Sequence, residues 1–250
     1  MLNKPAVQKT LSVAVALLVW QGAAAWINTD ILVASPVTVI ARLFEMIAEA
    51  DFWGTVAFSL VRIVCGFLLA FVLGIALALA AGRYRAVEML LWPFVITVKS
   101  VPVASFIILS LMWMRGEDLS VFISFLMVFP MIYSNVLQGI KSTDGKLIQM
   151  AQLYRVGWGR RLLYIYVPAV RPYLVSACSV ALGTAWKAGV AAEVIGIVTG
   201  SIGEKLYDSK IYLETADLFA WTVVIILISV AFEKLFLALL NRAFAGSEKI

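Results

Sequence analysis

Apolar residues run through this chain in long blocks, and charged residues gather in the short intervals between them. A helix that crosses a bilayer needs about 20 consecutive, mostly apolar residues. Six blocks fit. Residues 11–26 are uncharged and follow Lys4 and Lys9. Residues 55–81 are interrupted only by Arg62. The block at 86–114 is too long for one upright helix, and Pro93 and Pro102 are expected to break it. Its first part is read as lying along the membrane surface, with a span at 97–115. Residues 119–140 carry no charge, and two further spans are expected at 172–195 and 215–240. Ala23-Ala24-Ala25 is similar to a signal-peptide cleavage site, so the first block is either a retained helix or a removed signal. The retained helix is preferred, since multi-span proteins usually keep their first span.

Between the first two blocks, Pro36 opens a segment at 37–50 with Val39, Ile40, Leu43, Phe44 and Ile47 at helical spacing. Arg42, Glu45 and Glu49 fall on its other side. It reads as an amphipathic helix on the outer surface. The segment 196–214, with Gly196, Gly200 and Gly203 among charges, reads as an outer loop.

Composition agrees with a membrane protein: 63% of residues are hydrophobic and 14% charged. Average soluble domains carry about 45–50% and about 25%. The 20 Lys and Arg are unevenly placed. Arg42, Arg115, Lys205 and Lys210 fall on one side of the six spans. Arg62, Lys99 and Lys187 fall inside them, and the other thirteen of the 20 fall on the second side. By the positive-inside rule the second side, with both termini and the 141–171 loop, is cytoplasmic. The net charge of +5 is therefore read as a topology signal, with no nucleic acid implied.

The chain has no His, which removes His-based acid–base chemistry and His metal sites. Cys65 and Cys178 lie in apolar blocks and are read as buried free thiols. No phosphate-binding G-x-x-x-x-G-K-[ST] occurs, and no carboxylate pair lies within a span. No cofactor or metal is expected, and any ATP must be bound by another subunit. The chain is read as a single all-α, polytopic domain over 1–250.

The most informative segment is the loop. Leu147, Met150, Ala151 and Tyr154 recur at i, i+3, i+4 and i+7, so one apolar stripe is expected on a helix over 146–156. Asp144 stands where an N-cap belongs, Gln149 and Gln152 sit off the stripe, and Gly157 with Gly159 is expected to end the helix. The pattern leaves two readings open: an interfacial helix on lipid, or a docking element for a partner.

At this point the chain resembles the inner-membrane permease subunits of bacterial ATP-binding-cassette importers, most nearly the nitrate/taurine/sulfonate branch. That family's loop reads E-A-A, three residues, G, nine residues, I-x-L-P. Ile165-Tyr166-Val167-Pro168 matches its end. Counting back puts Gln149-Met150-Ala151 on the triplet and Arg155 on the glycine, so only Ala151 agrees there. Elsewhere Ser35-Pro36, Ser59-Leu60-Val61-Arg62 with Gly66-Phe67 and Gly74, Lys99-Ser100-Val101-Pro102, and Ala192-Glu193 with Gly196 and Gly200-Ser201-Ile202-Gly203 resemble further family stretches in the family's order. The resemblance implies a permease, not itself an enzyme, acting as a homodimer in the bacterial inner membrane. It also implies cytoplasmic ATPase subunits that hold ATP and Mg and dock on a coupling helix. Here that helix would comprise Asp144, Leu147, Gln149, Met150, Ala151, Tyr154, Arg155 and Gly157. An extracytoplasmic solute-binding protein would deliver a small solute such as nitrate, a sulfonate, taurine or a vitamin precursor.

Charges inside spans need a reason. Arg62 and Lys99 are read as snorkelling to opposite surfaces. Lys187 lies deep in the fifth span among small residues, with Gly183 and Gly189 close by and Glu193 nearly opposite around the helix. It either lines a translocation pathway, with Gly183, Gly189 and Glu193 as companions, or belongs to a buried ion pair. Two other classes would leave their own marks. A secondary transporter predicts internal inverted repeats, and an intramembrane enzyme predicts a reactive His, carboxylate pair or metal site; none is visible.

Overall fold

The computed structural model describes residues 5–27, 29 and 32–247, and among these there are helices and no strands. Lys4, Asn28 and Lys249 lie outside the described residues. In chain order the helices are α1 (Pro5–Ile27), α2 (Pro36–Ala48), α3 (Ala50–Arg83), α4 (Arg85–Ser100), α5 (Val103–Ser110), α6 (Gly116–Lys141), α7 (Gly145–Leu153) and α8 (Trp158–Arg161). A π-helical turn at Leu162–Tyr166 then leads into α9 (Val167–Gly196), followed by α10 (Ile202–Ile211) and α11 (Thr215–Ser247).

Four segments are long and apolar enough to cross a membrane: α3, α6, the rod Trp158–Gly196, and α11 up to Phe244. The chain is thus an all-α, polytopic membrane protein. The expected third span is not one helix. α4 and α5 meet at an angle of 104°. The break falls at Val101-Pro102, because the residue before a proline is pushed out of the helical region, and Val101 sits at φ −87, ψ 134. Pro93 does not break α4 and stays inside it. Near the first block, the described apolar stretch Leu11–Ile27 is shorter than a full span.

The π-helical turn has a local cause. Pro168 has no N–H, and its ring crowds the carbonyl four residues back, so the helix widens ahead of it. The Val167 N–H accordingly reaches back five residues to Leu162 O.

The packing centre is α6, flanked by α3 and α9. Phe67, Val128, Ile132, Cys178, Leu182 and Trp186 form its core. Gly66 lets α3 close on α6: a Cβ there would lie 2.4 Å from Val121 O. By contrast, α11 and α1 expose Ile226, Leu227, Leu235, Leu17 and Leu18, as helices facing hydrocarbon do. Cys65 is also exposed, unlike Cys178, because it sits on the outward side of α3.

α2 packs on the start of α11. Ser35 caps it by accepting from Thr38 N–H. The Arg42 Nε donates to Asp217 Oδ1 at 2.6 Å and its second nitrogen to Asp217 Oδ2 at 2.9 Å. Those bonds, against a partial loss from burial, hold the guanidinium pKa above its ordinary value, so it stays charged. The segment read as an outer loop contains α10. A capping pair that the loop reading passes over, Ser201-x-x-Glu204, stands at its start: Ser201 Oγ accepts from Glu204 N–H and Glu204 Oε2 accepts from Gly200 N–H.

Candidate functional site

α7 begins where Asp144 predicts. The carboxylate accepts from Lys146 N–H at 2.8 Å, satisfying one of the free donors of a helix start. It ends three residues before the expected Val156. Arg155 adopts φ 50, and Val156 N–H reaches back to Ala151 O at 2.9 Å. So Arg155, not a glycine, makes the left-handed turn that closes the helix. Gly157, at φ −61, caps α8 instead.

The stripe is split. Ala151 is buried, with Ile148 half-buried beside it on the inward face. Leu147, Met150 and Tyr154 are 45%, 49% and 74% exposed. Lys146, Gln149 and Gln152 are exposed around them. Leu153, 80% exposed, and Trp158 extend the apolar surface. Neither was singled out from the sequence, although Leu153 lies three residues beyond Met150 and follows the same spacing rule. A nine-residue helix with one buried residue has little to hold it in water alone.

The four candidate pathway residues on α9 do not share a surface. Lys187 is exposed, and among the described residues it has neither an ion pair nor a hydrogen bond. Within the described residues of the chain, Lys187 thus belongs to no buried ion pair. Gly183, one turn earlier, has open space where a Cβ would point, and Thr184 beside it bonds Val180 O. Gly189 and Glu193 face inward. A Cβ on Gly189 would lie 2.6 Å from both Ile63 Cγ1 and Ser124 Oγ, so Gly189 is a packing contact with α3 and α6.

Glu193 is fully buried and gathers three helices. Ser59 Oγ on α3 donates to Glu193 Oε2 at 2.8 Å and accepts from Ile202 N–H at 2.9 Å. Gly203 N–H donates to the same carboxylate oxygen at 3.3 Å. The first turn of α10 thus rests its free N–H groups on Ser59 and Glu193. Only glycine fits at 203, where a Cβ would lie 2.3 Å from Glu193 Cβ and 2.5 Å from Val194 N. Glu193 Oε1 and Ser120 Oγ have no partner among the described residues.

The two other cations inside apolar segments each have a partner within the chain. Arg62 Nε donates to Glu117 O at 2.6 Å, and its guanidinium lies 3.4 Å from the centre of the Phe58 ring. Lys99 Nζ donates to Ser134 Oγ at 2.8 Å. These partners are 55 and 35 residues away in the chain, so helix spacing does not reveal them.

Comparison with known proteins places the chain in a family. The model of the binding-protein-dependent transport system inner membrane component matches residues 70–246, which is more than half of the chain. The chain is 27% identical over 214 residues to a Bacillus subtilis protein named for aliphatic sulfonates transport, the permease protein SsuC, covering 84% of this chain and 77% of that one. It is 27% identical over 236 residues to the taurine transport system permease protein TauC of Escherichia coli, covering 90% and 86%. It is 26% identical over 161 residues to the bicarbonate transport system permease protein CmpB of Synechococcus elongatus, covering 63% and 57%.

Proposed function

The chain belongs to the family of binding-protein-dependent transport system inner membrane components, the importer permeases of the nitrate/taurine/sulfonate branch, and from that premise we propose that it forms half of an ATP-driven uptake pathway for a small oxyanion. The proposed partners are a second copy of this chain, two cytoplasmic ATPase subunits holding ATP and Mg, and an extracytoplasmic binding protein. Both termini and α7 face the cytoplasm in this reading. The relatives' names, which specify sulfonates, taurine and bicarbonate, support an anionic solute.

The observation that carries the proposal is α7. It is capped, almost detached, and presents Leu147, Met150, Leu153 and Tyr154 outward. Its polar side holds Gln149 and Gln152, whereas a helix made for an anionic membrane surface favours Lys and Arg throughout. That tilts the choice towards a protein groove. Closure of the ATPases on ATP would draw the two α7 helices together and rock the spans between outward and inward openings. Lys187, with Gly183 and Thr184, would line the pathway between the two copies, since an exposed cation deep in a span is costly against lipid.

Burial of a Leu or Met side chain stabilises by about 1.5–3 kcal/mol. Leu147→Asp or Met150→Asp should therefore strip the ATPase from purified permease by about tenfold or more and abolish uptake. Insertion should be unaffected, because no span is altered. Full ATPase retention and uptake in both variants would refute the role of α7. Lys187→Ala, in turn, should slow uptake with the complex intact; loss of the assembled complex would make Lys187 structural.

A further inference from the structure

α3 and α6 run antiparallel, with Gly66 against Ser124 and Gly82 against Ile140, so the start of α3 and the α7 loop lie at opposite ends of the bundle. At the α3 start, a cavity of about 610 Å³ opens between the α2–α3 junction and the α10–α11 junction, within the size range of small-ligand sites. Five carboxylates line it: Glu49, Asp51, Asp208, Glu214 and Asp217. Arg42 already engages two of them, Asp217 at 2.6 Å and Glu49 at 3.1 Å. The Asp51, Asp208 and Glu214 carboxylates have neither an ion pair nor a hydrogen bond among the described residues. The one cation in the lining, Lys205, is likewise unpaired there. Three free negative charges against one free positive charge focus a negative field in a walled space.

Acidic residues around a surface hollow are ordinarily solvated, but one group here is not. Thr55 lines the cavity and is only 5% exposed. Three other helical threonines give their hydroxyl to the carbonyl four residues back: Thr97 to Pro93, Thr184 to Val180 and Thr222 to Leu218. Thr55 makes no such bond to Asp51, and its hydroxyl has no other partner among the described residues. Nor does its oxygen belong with the unpartnered side-chain atoms sealed from solvent, Ser120 Oγ, Tyr133 Oη, Trp186 Nε1 and Glu193 Oε1. The hydroxyl therefore keeps a little accessible surface, and that surface opens into the cavity. A nearly buried hydroxyl left free in this way calls for a partner.

The lining discriminates among cations. Among the described residues no three carboxylates stand close enough together to hold a metal ion. Aromatic surface stands beside them: Phe52 and Trp221, which also line the cavity, stack with ring centres 5.4 Å apart. Separated carboxylates beside aromatic surface suit an organic cation. The Thr55 oxygen accepts from an N–H donor, which a quaternary ammonium lacks.

We propose that this cavity binds a small organic ammonium compound, its N–H groups shared between the Thr55 hydroxyl and the Asp51, Asp208 and Glu214 carboxylates, with Lys205 limiting how tightly it is held. On the reading that places α7 in the cytoplasm, the cavity opens on the extracytoplasmic side. The binding itself depends neither on that reading nor on what is transported.

The test uses the purified full-length chain and 1,4-diaminobutane as the probe, read by isothermal titration calorimetry and by thermal unfolding. Tetramethylammonium and sodium at equal ionic strength are the controls. Wild type should bind the diamine about tenfold more tightly than tetramethylammonium, or better. Asp208→Asn should weaken diamine binding about tenfold and Thr55→Val about threefold to fivefold, in line with the loss of one charged and one neutral hydrogen bond. Thr55→Ser, which keeps the hydroxyl, should bind nearly as wild type does. Lys205→Met should tighten binding about threefold or more, because it removes the like charge. Asp51→Asn, at an exposed position, repeats the Asp208 test if Thr55→Val does not fold. The proposal is overturned if wild type binds the diamine no better than the controls, if folded Asp208→Asn and Asp51→Asn both bind like wild type, or if Lys205→Met weakens binding. None of these variants touches α7 or Lys187, so failure here is distinguishable from failure of the transport reading.

Discussion

At the Gly196 end of α9, buried polar groups bond one another: Glu193 Oε2, Ser59 and the N–H groups of Ile202 and Gly203 form a small buried network, although Glu193 Oε1 has no partner among the described residues. At the Val167 end, roughly 45 Å away along the 30-residue helix, the reverse holds. There α7 leaves Leu147, Met150, Leu153 and Tyr154 exposed and buries only Ala151. The first arrangement is costly to disturb, because the Ser59 O–H and the Ile202 and Gly203 N–H groups each have a specific acceptor. The second is cheap to disturb in the isolated chain and becomes costly only when something covers it. The contrast yields opposite expectations for substitutions at the two ends.

The largest effect is expected at Gly203. Val194 N lies 2.5 Å from the place a Cβ would occupy, and backbone cannot step aside as a flexible side chain can. Gly203→Val should cost about 3 kcal/mol or more, at the upper end for overpacking. In detergent it should appear as a strongly lowered unfolding midpoint or as loss of the folded chain. A midpoint near wild type would show that α10 does not bear on α9 as described.

Next comes Glu193. Removing its carboxylate strands Ser59 O–H and Gly203 N–H in a dry setting, at about 1–3 kcal/mol. Glu193→Ala should therefore lower the midpoint clearly, while Glu193→Gln, which keeps an acceptor oxygen and the volume, should lose less than half as much. Equal losses for the two would mean that volume, not hydrogen bonding, sets the effect. Leu147→Asp provides the contrast. In the isolated chain it should move the midpoint by no more than about 0.5 kcal/mol, as exposed substitutions do. A large drop there would mean that Leu147 is held by the chain itself, and the distinction between the two ends would fail.

Four of the six expected spans and the cap of α7 were legible because they are local. Apolar block length announces a helix in lipid, and Asp144 sits one step from the helix it caps. α10 was missed because Gly200, Gly203 and four charged residues over 204–210 look like a loop by composition. The burial of Glu193 was not legible at all. Its partner Ser59 stands 134 residues earlier, and nothing in helical periodicity pairs them. The bend at Val101-Pro102 was legible in place but not in size. Proline chemistry marks a break, whereas the 104° angle is set by what α4 and α5 each pack against. Counting along the loop gave Arg155 as the residue in place of the family's glycine, and the backbone supplies the physical meaning of that substitution.

That meaning leads to the smallest effect. Arg155 holds φ 50, a region where a Cβ crowds the chain and only glycine is at ease. The strain is about 1–2 kcal/mol for an L-residue. Arg155→Gly would relieve it, but glycine also gives the unfolded chain more freedom, at about 0.4–1 kcal/mol. The difference favours the variant by roughly 0.5–1 kcal/mol. Because α7 is nearly detached, this gain belongs to local opening more than to global unfolding. Amide hydrogen exchange within α7 should therefore slow by about twofold to fivefold, with little change in α9. Gly157 supplies the control. It sits at φ −61 with nothing within 4 Å of a Cβ, so Gly157→Ala asks for no new conformation. It should leave the exchange of α7 within about twofold of wild type. If Arg155→Gly speeds exchange instead, the Arg155 side chain contributes more to holding the end of α7 than its backbone strain removes. The unfinished end would then be more finished than its exposed stripe implies.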